Sequence, residues 1–149
     1  MTARTPIPLT ADRLAELMPA GATTLVSGCS CASDLLADLV EQAGEALGAT
    51  TFTGIAVPGL NRRTLLADGA ATRRETFFMT PELAALPDRV TLLPLNYAQI
   101  AARYRAALPT AVLFSATPPD AAGRCHLGPT VDFLPDLWTR IPVRIAHLN

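Results

Sequence analysis

Short apolar runs alternate with segments of helical spacing along this chain, and that alternation limits its possible folds more than any other feature. The runs typical of buried strands are residues 23–28, 50–57, 74–79, 89–95, 110–116 and 143–148. The segments whose apolar residues recur at helical spacing are 9–18, 34–48, 80–86 and 96–108. Strands that are apolar on both faces and alternate with helices predict an α/β domain with an open, mainly parallel sheet flanked by helices.

Capping residues predict where the helices begin. The candidate N-caps are Thr10, Ser33 or Asp34, Thr80 followed by Pro81, and Asn96 with Gln99 at capping-box spacing. The 149 residues are one domain's worth of chain, so we expect a single domain over 1–149 with a flexible lead-in at 1–9. Ligands of parallel sheets gather beyond the carboxyl ends of the strands, which directs attention to the loops 27–33, 57–63 and 115–130.

The charge and cysteine content argues against several classes of partner. Only 17% of the residues are charged and the formal net charge is −1, so neither nucleic acid nor an anionic membrane is expected as a partner. The first residues carry no signal-peptide pattern, and no stretch approaches the ~18 apolar residues of a membrane-spanning helix. An odd number of cysteines, three, without an export signal predicts a reduced, cytoplasmic protein.

The loop SATPPDAAGRCHLGPT (115–130) concentrates prolines, glycines, a cysteine and a histidine. Gly123 and Gly128 have the glycine spacing of a P-loop, but Pro129 stands where that motif needs lysine, which argues against a phosphate cradle. Prolines stiffen the exit from the preceding strand, and the glycines allow the chain to turn closely. We therefore interpret the loop as a shaped backbone wall.

A metal site and a cysteine nucleophile are weaker alternatives. Cys29, Cys31, Cys125 and His126 could supply a zinc site, but C-x-C and an adjacent Cys-His do not match the usual ligand spacing, so no metal is expected. Neighbours on an extended chain point to opposite sides, so a Cys–His pair would need His147, or Cys29 with His126 across loops. The apolar strand around His147 favours a core histidine with a satisfied ring.

Most acidic residues have structural interpretations. Asp120 is expected to form an Asx turn, and Glu75 is expected to pair with Arg73 or Arg74. The carboxylates expected on solvated helix faces are Asp12, Glu16, Asp38, Glu41 and Glu45.

All twelve basic residues are arginine, so lysine chemistry is absent. Arg62 and Arg63 follow a strand at the expected mouth of the sheet, where an arginine is a natural anchor for a carboxylate or a phosphate. Two solvated loop arginines are the alternative.

Six segments resemble, in order, the N-terminal domain of the acetyl-CoA hydrolase/transferase family. They are LVSGCSCASDLLADLVEQA, FTGIAVPGLNRR, TFFMTPELAAL, LLPLNYAQI, FSATPPDAAGRCHLGPTVDF and RIAHLN. The family includes the 4-hydroxybutyrate CoA-transferases and belongs to the class I CoA-transferases. This chain departs from the family at Ala32-Ser33, where a Glu-Pro pair is frequent, and at Cys125-His126, where a serine is common.

The resemblance implies a class I CoA-transferase-like fold and an active site shared between two related halves. In such enzymes a glutamate attacks an acyl-CoA thioester to give an anhydride, which the CoA thiolate converts to a glutamyl-CoA thioester. The glutamate and the glycine that stabilises oxyanions belong to the C-terminal half, so no catalytic residue is assigned in this chain. The resemblance and the loop positions together mark a substrate-binding set: Gly28, Cys29, Val57, Pro58, Gly59, Asn61, Arg62, Pro119, Gly123, His126 and Gly128.

The expected function is that of one subunit of a split CoA-transferase-like enzyme, inactive alone. Its substrates would be an acyl-CoA, with coenzyme A as the carrier, and a small carboxylate. Its partner would be a separate chain that resembles the family's C-terminal half and supplies the glutamate. The alternatives are a non-catalytic or regulatory partner of a complete homologue, an acyltransferase or thioester hydrolase of a specialised pathway, and an isolated domain without independent function.

Overall fold

Six strands and five α-helices make up the fold in a computed structural model that describes residues 6–149. The strands are β1 (Thr23–Val26), β2 (Thr51–Gly54), β3 (Arg73–Thr76), β4 (Val90–Leu92), β5 (Ala111–Ala116) and β6 (Val143–Leu148). The helices are α1 (Ala11–Leu17), α2 (Asp34–Ala43), α3 (Pro81–Ala84), α4 (Tyr97–Ala106) and α5 (Leu134–Leu137). Of the expected lead-in, residues 1–5 lie outside the described residues, and Leu9 packs against the hydrophobic core.

The strands form one open sheet in the order β4-β3-β2-β1-β5-β6, and every neighbouring pair is parallel. The α/β class and the open sheet flanked by helices are therefore confirmed, and the sheet is wholly rather than mainly parallel. The chain moves outward from β1 to β4 and then returns to place β5 on the other side of β1. The strand order thus reverses between β1 and β5, the position where open α/β sheets usually bind ligands.

The predicted helix starts are confirmed. The Thr10, Ser33 and Thr80 side chains each accept a hydrogen bond from the backbone N–H three residues later. Asn96 and Gln99 form the complete capping box of α4, in which each side chain accepts from the backbone N–H of the other. Short polar side chains satisfy the first amides of a helix locally, which is why sequence alone predicts these boundaries.

Both faces of the sheet are buried, each by its own group of helices. On β5, Leu113 faces the cluster formed with α1 and α2, whereas Val112 and Phe114 face the cluster formed with α4 and α5. This alternation explains the continuous apolar run of β5. Since the two faces are covered, the open regions of the sheet are its edges and the loops beyond its carboxyl ends.

The connections differ from the expected alternation of strands and helices. No helix lies between β2 and β3, and the connection from β5 to β6 holds only the four-residue helix α5, which periodicity did not predict. Residues 6–149 contain no helix long and apolar enough to cross a membrane.

Candidate functional site

The loops that follow β1, β2 and β5 meet at the carboxyl edge of the sheet. They cover residues 27–33, 55–63 and 117–130, and the strands before them are adjacent in the order β2-β1-β5. Because parallel strands all end at the same edge, three segments that are far apart in sequence lie side by side.

Asn61 joins the β1 and β2 loops through its carboxamide. Its Oδ1 accepts hydrogen bonds from the backbone N–H of Cys29 (3.0 Å) and of Val57 (2.9 Å). Its Nδ2 donates to the Cys29 carbonyl oxygen at 2.9 Å. One side chain thus satisfies three backbone groups from two loops and fixes their spacing.

Gly28 lies where these two loops approach most closely. A Cβ built on Gly28 would be 1.7 Å from the Ile55 carbonyl oxygen, so only glycine fits. The Gly28 N–H points the other way and donates to Asp132 Oδ2 at 3.3 Å. The next residue, Cys29, has φ of +50°, a left-handed conformation that is unusual for a side chain larger than glycine. Gly28 therefore connects the β2 loop to the segment that follows the β5 loop.

Cys31 ties the β1 loop to the end of the β5 loop. Its buried Sγ lies 3.5 Å from the Leu127 carbonyl oxygen and 3.4 Å from the Thr130 backbone nitrogen, which donates to it. The hydroxyl groups of Ser30 and Thr130 share a third hydrogen bond between the same segments. A Cβ on Gly128 would be 3.1 Å from the Cys31 sulfur, so the absence of a side chain at Gly128 permits this packing.

The first part of the β5 loop folds on itself. Thr117 N–H donates to the His126 carbonyl oxygen, and His126 N–H donates to the Thr117 hydroxyl group. Asp120 Oδ1 accepts from the backbone N–H of Ala122 and of Arg124, which confirms the predicted Asx-type turn. These hydrogen bonds, and the Arg124 side chain, lower the pKa of Asp120. The special residues of this loop thus shape backbone, as expected.

The predicted substrate-binding residues divide among three concave regions. A cavity of about 60 Å³ lies between the β1 and β2 loops and α2, and Gly28, Asn61 and Arg62 line it. A cavity of about 120 Å³ lies between the β1 and β5 loops, and His126 and Gly128 line it. Gly123 lines a groove of about 760 Å³ beside β6.

The remaining predicted residues have other positions. Cys29 and Val57 are half-buried and pack against the α4 and α5 side of the core. Pro58 and Gly59 are exposed at the tip of the β2 loop, and Pro119 is half-buried in the folded part of the β5 loop. The structure therefore places three residues of the set at one cavity, two at a second cavity, and the other six outside both.

The alternatives based on cysteine and histidine gain no geometric support. His147 is half-buried on the outermost strand rather than in the core, and its Nδ1 lies 2.9 Å from the Ser33 hydroxyl oxygen. Burial, aided by the nearby Asp132 carboxylate and Cys31, raises the pKa of the Cys29 thiol, which disfavours the nucleophilic thiolate. Across residues 6–149, no group of three or more His, Cys, Asp or Glu side chains is arranged to hold a metal ion.

The ion-pair prediction for Glu75 was wrong. Glu75 pairs with Arg103 of α4, at 2.5 Å, and not with Arg73 or Arg74. Strand alternation places Glu75 on the α4 face of the sheet and Arg74 on the opposite face. Arg73 shares the face of Glu75, but its guanidinium donates to the Asp88 carbonyl oxygen.

Asp38 and Glu41 are exposed on α2, as expected, and both also bind Arg63, each at 2.7 Å. The two carboxylates sit three residues apart on one face of α2, so a single guanidinium from the β2 loop reaches both. Arg62 is exposed, as the solvated alternative predicts, although it also lines the cavity of about 60 Å³.

The predicted substrate-binding set leaves out three residues of this region, Arg74, Cys31 and Asp132, although the sequence marks Asp132 as a carboxylate beside the β5 loop and Cys31 as a possible zinc ligand. Arg74 lies inside a strand and is only 4% exposed, and its side chain lines the cavity between the β1 and β2 loops. The sequence did offer a signal for Arg74, because a charged residue inside a predicted buried strand is uncommon. Asp132 has φ of +43° and accepts a hydrogen bond from Gly28, which is 104 residues away in the sequence. No local sequence pattern predicts a contact over that separation.

Replacement of Asp132 tests the connection to Gly28. Burial raises the pKa of Asp132, while the hydrogen bond from Gly28 N–H opposes the shift. The folded protein therefore holds this proton more tightly than the unfolded chain, and stability falls as pH rises through the titration of this carboxyl group. We expect Asp132→Asn to be at least as stable as the wild type at neutral pH, because asparagine keeps the acceptor, tolerates a positive φ and carries no charge.

Urea denaturation from pH 4 to pH 7 provides the measurement, with exposed Asp68→Asn as the matched control. The Asp132 variant should show a flatter pH dependence than either the wild type or the control. A variant that is less stable than the wild type at neutral pH contradicts the prediction.

Comparison with known proteins adds no assignment: no protein-family model matches the chain, and no curated protein does.

Proposed function

We propose that this chain is one half of a split CoA-transferase-like enzyme with a class I CoA-transferase-like fold. A separate chain, resembling the family's C-terminal half, would cover the carboxyl edge of the sheet and supply the nucleophilic glutamate. The substrates would be an acyl-CoA and a small carboxylate. The proposal rests on the six resembling segments together with the surface described next.

The main structural support is a set of apolar side chains exposed along the carboxyl edge of the sheet. They lie at or after the ends of β2, β3, β4 and β5, and they are Leu60, Phe78, Met79, Leu92, Tyr97 and Val131, between 37% and 54% exposed. Large apolar side chains grouped on one surface are typical of a protein interface. The same edge carries the loops with the predicted substrate-binding residues, so a partner seated there would enclose the cavities.

The positions of the glutamates fit a nucleophile from another chain. Glu16, Glu41 and Glu45 belong to the helical segments that cover one face of the sheet. Glu75 of β3 is bound to Arg103 of α4, and Glu82 lies in the first turn of α3. None of the three loops of the site contains a glutamate.

In this proposal the residues of this chain bind and position substrate. The Asn61 hydrogen bonds join the β1 and β2 loops into one wall, and the Gly28 N–H ties the β1 loop to Asp132. The partner's glutamate would attack the thioester carbonyl carbon and release CoA thiolate, which then attacks the glutamyl carbonyl of the anhydride and releases the acyl carboxylate. Covalent catalysis of this kind gains from a rigid wall, because the acyl group must stay aligned through both steps.

Co-expression with the product of the neighbouring reading frame tests the proposal. The complex and each chain alone are incubated with acetyl-CoA and isotopically labelled acetate, and the exchange of label into acetyl-CoA is measured. Mass spectrometry then searches for a glutamate whose mass is increased by CoA minus water. We expect exchange only from the complex, with the adduct on the partner chain.

Other outcomes decide among the alternatives. Exchange by this chain alone, or an adduct on one of its own glutamates, overturns the split-enzyme proposal. A stable complex without exchange or hydrolysis of acetyl-CoA and longer acyl-CoAs favours a non-catalytic partner and also counts against the proposal.

A further inference from the structure

Arg74 is a buried cation whose hydrogen-bonding capacity is mostly unused. The residue is 4% exposed, and its Nη2 donates to the Gly54 carbonyl oxygen at 3.3 Å. Its Nε and Nη1 are buried and have no hydrogen-bond partner among the described residues. Burial lowers the pKa of Arg74 to about 10, so the guanidinium remains charged at neutral pH. A buried charge with unsatisfied donors is costly unless an anion or another acceptor compensates it.

Arg74 lines a cavity that also receives the N-terminus of α2. Arg74, Ser33 and Asp34 all line this cavity of about 60 Å³. About 10–15 Å³ is enough for one water molecule, so the space exceeds that of a single solvent molecule. At the start of α2 the Leu36 N–H already donates to the Ser33 hydroxyl group, whereas the N–H groups of Asp34 and Leu35 have no acceptor within the helix. The helix dipole favours negative charge at this end.

The charged residues that line the cavity are three arginines, Arg62, Arg63 and Arg74, and the carboxylate of Asp34. Arg63 is bound by Asp38 and Glu41, and this group of three carries a net charge of −1. Arg62 lines the cavity, and no ion pair within residues 6–149 involves it. The exposed Asp34 carboxylate also lines the cavity and opposes anion binding. Among the described residues that line the cavity, Arg74 and Arg62 are cations outside any ion pair, and Asp34 supplies the one carboxylate.

We propose that this cavity binds a small oxyanion, a carboxylate or a phosphate group, between the Arg74 guanidinium and the N-terminus of α2. The anion would accept from Nε and Nη1 of Arg74 and from the first backbone amides of α2. Arg62 would add charge from the β2 loop. The inference concerns binding by this chain alone and does not depend on acyl transfer.

Titration calorimetry of the full 149-residue chain with sodium phosphate and, separately, sodium acetate tests the inference, with sodium chloride as the reference at equal ionic strength. We expect saturable binding of at least one oxyanion. The one that binds more tightly shows whether the cavity prefers a phosphate group or a carboxylate. Arg74→Met should weaken binding by about tenfold or more, because it removes two charge-assisted hydrogen bonds. Arg124→Met, an exposed arginine on the β5 loop, is the matched control and should bind as the wild type does.

Asp34→Asn provides a second variant that acts in the opposite direction. It removes the opposing carboxylate from an exposed position and should strengthen binding by about two- to fivefold. This comparison remains decisive if Arg74→Met does not fold. Any of three results overturns the inference. These are no binding of either oxyanion to the wild type, the same affinity in Arg74→Met as in the wild type, and no increase of affinity in Asp34→Asn.

Discussion

Gly28→Ala is expected to cost about 3–5 kcal/mol of unfolding free energy, the largest effect of any single substitution in the loops of the site. The added Cβ would lie 1.7 Å from the Ile55 carbonyl oxygen, a backbone atom that no side-chain rotation can move. A second close approach limits any adjustment, since a Cβ on Gly54 would lie 2.3 Å from the Val26 carbonyl oxygen. The ends of β1 and β2 would have to separate, and the hydrogen bonds between their loops would break. Typical domains are stable by about 5–15 kcal/mol, so this loss is a large share of the total.

Gly59→Ala is the matched control for this prediction. Gly59 has φ of +80°, but a Cβ there would meet no atom within 4 Å, so only backbone strain of about 1–2 kcal/mol is expected. Urea denaturation of both variants, followed by circular dichroism, gives the two free energies. Equal losses would mean that the close approach at Gly28 relaxes without cost.

The features that sequence reasoning predicted correctly are those that depend on near neighbours. Thr10, Ser33, Thr80 and Asn96 cap helices through hydrogen bonds to amides three residues away, so both partners lie within a short window. The strands were also predicted correctly, because a strand in a sheet that is buried on both faces is apolar along a continuous run of residues. The meeting of three loops at one edge follows from parallel pairing, which brings all carboxyl ends together.

The features that escaped prediction depend on distant contacts. Asn61 was selected for its loop position, but its three hydrogen bonds to Cys29 and Val57 require knowledge of how two loops are juxtaposed. Arg74 was treated as an ion-pair partner of Glu75, although adjacent strand residues face opposite sides of a sheet. α5, with a proline and only four residues, carries too little periodicity to be recognised.

Asn61→Ala is expected to cost about 2–3 kcal/mol and to disorganise the β1 and β2 loops together. The alanine leaves the N–H groups of Cys29 and Val57 and the Cys29 carbonyl without their present partner. Asn61→Asp should cost less, because a carboxylate still accepts both N–H groups, and more strongly than an amide, although its second oxygen then faces the Cys29 carbonyl oxygen without donating to it. The expected order of stability is therefore wild type, then Asn61→Asp, then Asn61→Ala.

Asn96→Ala separates this role from that of an ordinary capping asparagine. Asn96 is exposed and caps α4, so its loss should cost only about 1 kcal/mol and leave the loops of the site unchanged. Hydrogen exchange of the Cys29 and Val57 amides distinguishes the two variants, because both amides should lose protection in Asn61→Ala and keep it in Asn96→Ala. If Asn61→Ala leaves these amides protected, the two loops are held by other contacts. Loss of protection there with an intact sheet would instead establish Asn61 as the residue that couples the β1 and β2 loops, the wall that both the proposed substrate site and the proposed anion cavity share.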